Sequence, residues 1–122
     1  MTWDKLTFQE LAFVRSRLKD DGNGFYRDFR TVDTNPYFVQ VRDHYLSVNS
    51  TLLAIAVVLP AAGLHPYRVI QIKDGRLNCA ANNITIMPDG ADLVECAPVL
   101  VMNVNGDFVC LVSDGVSNWE VC

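Results

Sequence analysis

Residues 68–122 read RVIQIKDGRLNCAANNITIMPDGADLVECAPVLVMNVNGDFVCLVSDGVSNWEVC, and the punctuation of this stretch decides the fold. Short apolar runs at 69–72, 84–87, 99–104, 108–113 and 119–122 alternate with polar clusters. Those clusters are Lys73-Asp74-Gly75, Asn82-Asn83, Pro88-Asp89-Gly90, Asn105-Gly106-Asp107 and Asp114-Gly115. Gly and Asn tolerate positive φ, and Asn and Asp side chains bond their own backbone, so each cluster predicts a hairpin turn between strands. Five strands within about 55 residues is the spacing of an all-β sandwich or barrel. The expected architecture is mainly β: a small antiparallel β-sandwich, jelly-roll or Greek-key like, with one short N-terminal helix and arm.

Upstream, residues 37–42 alternate and turn at Asp43, and Tyr45, Leu46 and Val48 make a further short strand. Residues 52–59, LLAIAVVL, form an almost unbroken apolar run rich in Ile and Val, the pattern of a strand covered on both faces. A domain this small has room for few such strands, so a subunit interface is expected to supply the second covering layer. Pro36 disfavours helix at Asn35 and divides a helix and arm (1–36) from the β module (37–122), within one compact domain overall.

In the first part, Thr7 and Glu10 have capping-box spacing and are flanked by Leu6 and Leu11. Leu11, Val14 and Leu18 then give one apolar stripe, which predicts a helix over 8–19 ended by Asp20-Asp21-Gly22-Asn23-Gly24. A calcium loop there fails on ligand spacing: the twelfth residue counted from Asp20 or Asp21 is Thr31 or Val32, not Glu. Phe25-Tyr26-Arg27-Asp28-Phe29-Arg30 interleaves aromatics with charge. Stacking on single-stranded nucleic acid is weighed against an alternating segment whose phenylalanines cover the helix while its arginines meet water. Aromatics and Arg also anchor protein interfaces, so Phe25, Tyr26, Arg27, Phe29 and Arg30 form a candidate partner-contact arm.

The chain has 122 residues, half of them hydrophobic, a net charge of −4 and a pI near 4.9. That balance argues against a broad basic face for duplex DNA. The opening residues lack the basic and apolar regions of a signal peptide, and the longest apolar run (52–64) contains Pro60 and is too short for a membrane span. Cys79, Cys96, Cys110 and Cys122 lack zinc spacing, so four free thiols acting as small hydrophobes are the default, with disulfide formation left open. His44 and His65 have no spaced partners, and no phosphate-binding glycine loop or nucleophile elbow occurs. Asp89, Asp92 and Glu95 could gather a cation or form an acid pair, but flanking a Pro-Asp-Gly turn they read as solvated. No catalytic, cofactor or metal site is expected.

The pieces IKD, NNITI, PDGADL and CLVSDGVSNWEV, preceded by DHYLSV and AIAVVLP, resemble a β-stranded module of tailed-bacteriophage virion proteins, over roughly residues 37–122. Such modules occur in head decoration or cement proteins, head fibres, and tail-fibre or needle tips. The residues carrying the resemblance are Asp43, Leu59, Pro60, Lys73, Asp74, Asn83, Ile84, Ile86, Asp114, Gly115 and Trp119. Glu95-Cys96 stands where such modules usually have Asp-Gly. The resemblance implies a homotrimeric virion protein without catalysis. Its partners are then further copies of itself and the major capsid protein, with no nucleic acid, membrane or cofactor. Its expected place is the head surface, after assembly in the host cytoplasm. Lacking heptads or repeats of a fibre shaft, the chain fits a capsid decoration protein better than the alternative, a receptor- or glycan-binding tip. Trp119, directly after a turn, is expected to cap the core or a subunit interface, its indole N–H reaching a backbone carbonyl.

Overall fold

A computed structural model describes residues 28–122. The helix expected at 8–19, the rejected calcium loop at 20–24, and Phe25, Tyr26 and Arg27 lie outside the described residues. The strands are β1 (Asp28–Val32), β2 (Tyr37–Phe38), β3 (Asp43–Val48), β4 (Ile55–Val58), β5 (Val69–Asp74), β6 (Ile84–Met87), β7 (Leu93–Val94), β8 (Leu100–Met102), β9 (Phe108–Ser113) and β10 (Asn118–Val121). A 3₁₀ turn, Ala62–Leu64, follows β4. The five apolar runs of the last third all become strands, and the chain is mainly β.

The pairing departs from the antiparallel expectation. One sheet has six strands in the order β1-β3-β5-β9-β10-β7, the other four in the order β2-β4-β6-β8, and both are mixed. β1, β3 and β5 run parallel, as do β2, β4 and β6. Antiparallel pairs join β5 to β9, β9 to β10 and β6 to β8. Successive strands therefore alternate between the sheets, and among the described residues only β9 and β10 form a hairpin within one sheet. Parallel neighbours need a crossover, ordinarily a helix; here the crossover is a strand of the opposite sheet. Asp114-Gly115 makes the expected hairpin turn between β9 and β10, but the other Gly, Asn and Asp clusters are corners of a wound coil, so neither Greek-key nor jelly-roll order applies.

Alternation along each strand fills one shared core. Val32, Leu46, Val48, Ile70, Ile72, Val109, Leu111 and Trp119 enter from the six-stranded sheet, and Ile55, Val57, Ile84, Ile86 and Met102 from the four-stranded one. Leu59, Ala62 and Cys79 close its ends. β4 is fully covered on one side and partly on the other: Ile55 and Val57 are buried, while Ala56 and Val58 are half-buried. The double burial expected for 52–59 is not met within one chain, and Leu52 is 90% exposed.

Candidate functional site

The polar residues singled out in the sequence fall at the corners, where each ties backbone donors or a neighbouring side chain. Asp43 begins β3 and is buried. Its Oδ1 accepts from Arg30 Nε at 2.7 Å, and its Oδ2 accepts from the Tyr37 hydroxyl and, at 2.8 Å, from Gln40 N–H. Arg68 donates to the carbonyls of Gln40 (2.6 Å) and Asp43 (3.0 Å). One carboxylate thus joins β1, β2 and β3. Burial and then the Asp43 carboxylate hold the Tyr37 phenol protonated well above the ordinary tyrosine range.

Asp74 ends β5 facing inward, its position set by the register Val32–Val48–Asp74. Its Oδ2 accepts from Cys79 N–H and Gly106 N–H, each at 3.0 Å, and Oδ1 is buried without a hydrogen-bond partner. Burial alone would raise its pKa. The amides of Gly106, Cys79 and Asn78 outweigh that and bring it below the usual carboxylate value. Burial and the adjacent carboxylate push the Cys79 thiol up to about 11. Lys73 Nζ donates to Gly106 O at 2.7 Å, closing the same corner. Asp114 Oδ1 accepts from the N–H groups of Val116, Ser117 and Asn118 in the one hairpin, which lowers its pKa. Gly115 there has φ of +81° and sits against Pro66, a conformation and a contact that disfavour a side chain.

Trp119 is fully buried, and its indole N–H donates to the carbonyl of Pro60 at 3.2 Å, the expected contact. It joins the last strand to the end of the apolar segment, beside buried Leu59. Ser113 Oγ donates to Ala62 O at 2.8 Å, and Asp92 Oδ2 accepts from Ala62 N–H at 2.9 Å. Ile84 and Ile86 are core residues, and Asn83 contributes its carbonyl to Ile55 N–H. Asp92 and Glu95 do not converge, because Glu95 Oε2 binds Val121 N–H at 2.6 Å. Among the described residues no group of three His, Cys, Asp or Glu side chains could hold a metal ion.

Two expectations change, and the backbone at Glu95-Cys96 is defined. In β1 the alternation runs opposite to the one expected: Phe29 is 64% exposed and stacks on Tyr45 (centroids 5.2 Å, planes 10° apart). Arg30, in register with core residue Leu46, pairs with buried Asp43 while its own side chain stays 45% exposed. A bulge between Asp28 and Phe29 accompanies this register. The free-thiol default is also corrected. Cys110 and Cys122 form a disulfide, because β9 and β10 bring them opposite one another, with Cys122 N–H on Cys110 O. Cys79 and Cys96 stay free, the first buried and the second exposed. Finally, Glu95 and Cys96 keep the conformation an Asp-Gly pair would favour, with φ of +49° and +60°.

The outer surface of the four-stranded sheet was not read from the sequence beyond its β4 segment. Register sets Phe38, Val58 and Met87 in one row and Ala56, Thr85 and Val101 in the next. Phe38, Met87 and Val101 are exposed, as is Val99 just before β8. No charged side chain belongs to either row. The six-stranded sheet differs on its outside, where Phe29, Tyr45 and Phe108 form a stacked strip beside Ser47, Gln71 and Lys73. No protein-family model and no curated protein matches the chain.

Proposed function

We propose that this protein is a bacteriophage virion structural protein: a homotrimeric capsid decoration or cement protein. In this reading it binds the major capsid protein and stabilises the head shell, and its two sheets are the faces of a small sandwich. One observation carries it: the apolar strand β4 is fully buried on one side and only half-buried on the other, within an uncharged surface suited to assembly. The resemblance over residues 37–122 supplies the kind of assembly. The acidic residues fit a role without catalysis, because Asp43, Asp74, Asp92 and Asp114 each accept backbone hydrogen bonds that hold corners. A closed cyclic trimer matches the three-fold positions that a head lattice offers. Counting copies in purified particles tests this. Hundreds per particle, released together with loss of head stability, is the expected result; a handful confined to the tail overturns it.

A second reading, a receptor- or glycan-binding tip of a fibre or needle, is favoured by the strip of Phe29, Tyr45 and Phe108. Its rings are partly open to solvent and flanked by hydroxyl, amide and ammonium groups, a combination suited to stacking on a sugar ring. Retention on a glycan array that is lost in Tyr45→Ala would establish it. An array without hits would remove it.

A further inference from the structure

We infer that three copies of this chain associate through the outer face of the four-stranded sheet, with Phe38, Val58, Met87, Val99 and Val101 turned toward a common axis. This rests on the homotrimeric reading above and assigns it a surface.

The rows Phe38–Val58–Met87 and Ala56–Thr85–Val101 present alkyl, phenyl and thioether groups, with one threonine hydroxyl near the centre. Val99 extends the first row past Met87 on the adjoining strand. Charge selects the occupant. The chain carries a net charge of −4, so like copies repel unless they meet through a surface free of acids. This face is such a surface: two copies can approach here without desolvating a carboxylate or opposing like charges.

Area argues against a simple face-to-face pair. Four strands spaced by about 4.8 Å and two to four residues long make a face of roughly 19 by 11 Å, or about 200 Å² in projection. A stable two-body contact buries about 800 Å² on each partner. One flat face against its own copy therefore falls well short. In a ring of three, the state taken from the reading above, each face is divided between two neighbours and the strand edges around it enter the contact as well. The three sheets then enclose a prism-shaped apolar core, which gives β4 the second covering layer its sequence calls for.

The test is the native mass of the full chain and its variants at low micromolar concentration, with near-UV circular dichroism as the fold check. Wild type is expected at the mass of three 13.6 kDa chains, 3 × 13.6 = 40.8 kDa. Met87→Asp and Val101→Asp, each placing a charge on an exposed position, are expected to keep the near-UV signal and run as monomers. Thr31→Asp, on the exposed edge strand of the other sheet, is expected to stay trimeric. Val101→Thr, a same-shape polar change, is expected to weaken association at least tenfold and serves if the aspartates disturb folding. Trimeric Met87→Asp and Val101→Asp would overturn the assigned face while leaving the trimer intact. A wild-type dimer would overturn the three-fold arrangement. A wild-type monomer would overturn both, whereas head binding is judged separately by copy number.

Discussion

Asp74 shows how a residue that reads as turn punctuation becomes a structural anchor. In sequence, Lys73-Asp74-Gly75 signals a turn and no more. Its inward direction follows from register, which places it in line with Val32 and Val48. Removing its carboxylate leaves the Cys79 and Gly106 amides without their acceptor. Asp74→Ala is therefore expected to cost about 3 kcal/mol, measured by denaturant unfolding. The pH dependence has a definite sign. A carboxyl whose pKa is lower when folded than when unfolded adds stability above its unfolded value, and that stability is lost as pH falls through the folded one. Asp74 and Asp114 both shift downward. Wild type should therefore lose stability below about pH 4, and Asp74→Ala should lose less over the same range. Cys96 makes the converse case, a residue at odds with its backbone. At φ of +60° an L side chain is strained, while its N–H bond to Asn118 Oδ1 needs no side chain. Cys96→Gly is expected to raise stability by about 1 kcal/mol in the same assay.

At the level of elements, strands were legible and their partners were not. The runs at 84–87 and 108–113 match β6 and β9 to the residue, because alternation and turn chemistry are local signals. Whether a turn returns the chain to its own sheet or sends it across to the other is decided by core packing, and Gly, Asn and Asp serve both geometries. β1 escaped because a charged residue, Arg30, stands in register with core residue Leu46, and its buried partner Asp43 lies in another strand. β7 escaped because two residues carry no period. The Cys110–Cys122 pairing depended on strand register in the same way. The corner after β5 offers a test of the wound arrangement. Gly75 donates its N–H to Val48 O, and a Cβ added there would lie 2.0 Å from Ser47 Oγ and 3.3 Å from Ser47 Cβ. Gly75→Ala is expected to cost about 2 kcal/mol through overpacking. In a Ser47→Ala background the cost should fall by about 1 kcal/mol, since the nearest atom is gone. Additive effects in this double-mutant cycle would contradict the parallel β3–β5 corner, because an antiparallel hairpin would not bring these two residues together.

For the whole molecule, the excess of apolar character in residues 52–59 was the most informative functional signal in the sequence. It predicted a second covering layer, of which one chain provides only part, and only the folded sheet shows which neighbours share the half-open face. Phe38, Met87 and Val101 come from three separate segments, each too short to display a pattern alone. If that face is covered by two other copies, folding and association are linked, and thermal stability must depend on concentration. For a trimer that dissociates as it unfolds, a tenfold rise in concentration stabilises each chain by about 0.9 kcal/mol. Set against an unfolding entropy of about 2.1 cal/mol/K per residue, this moves Tm upward by roughly 4 °C. Scanning calorimetry from 1 to 100 μM should therefore show a rise of roughly 8 °C for wild type. Met87→Asp should melt lower and at a temperature independent of concentration. A wild-type Tm that stays constant over this range would mean that the exposed apolar face contributes nothing to stability through self-association, and that its partner has to be a different molecule.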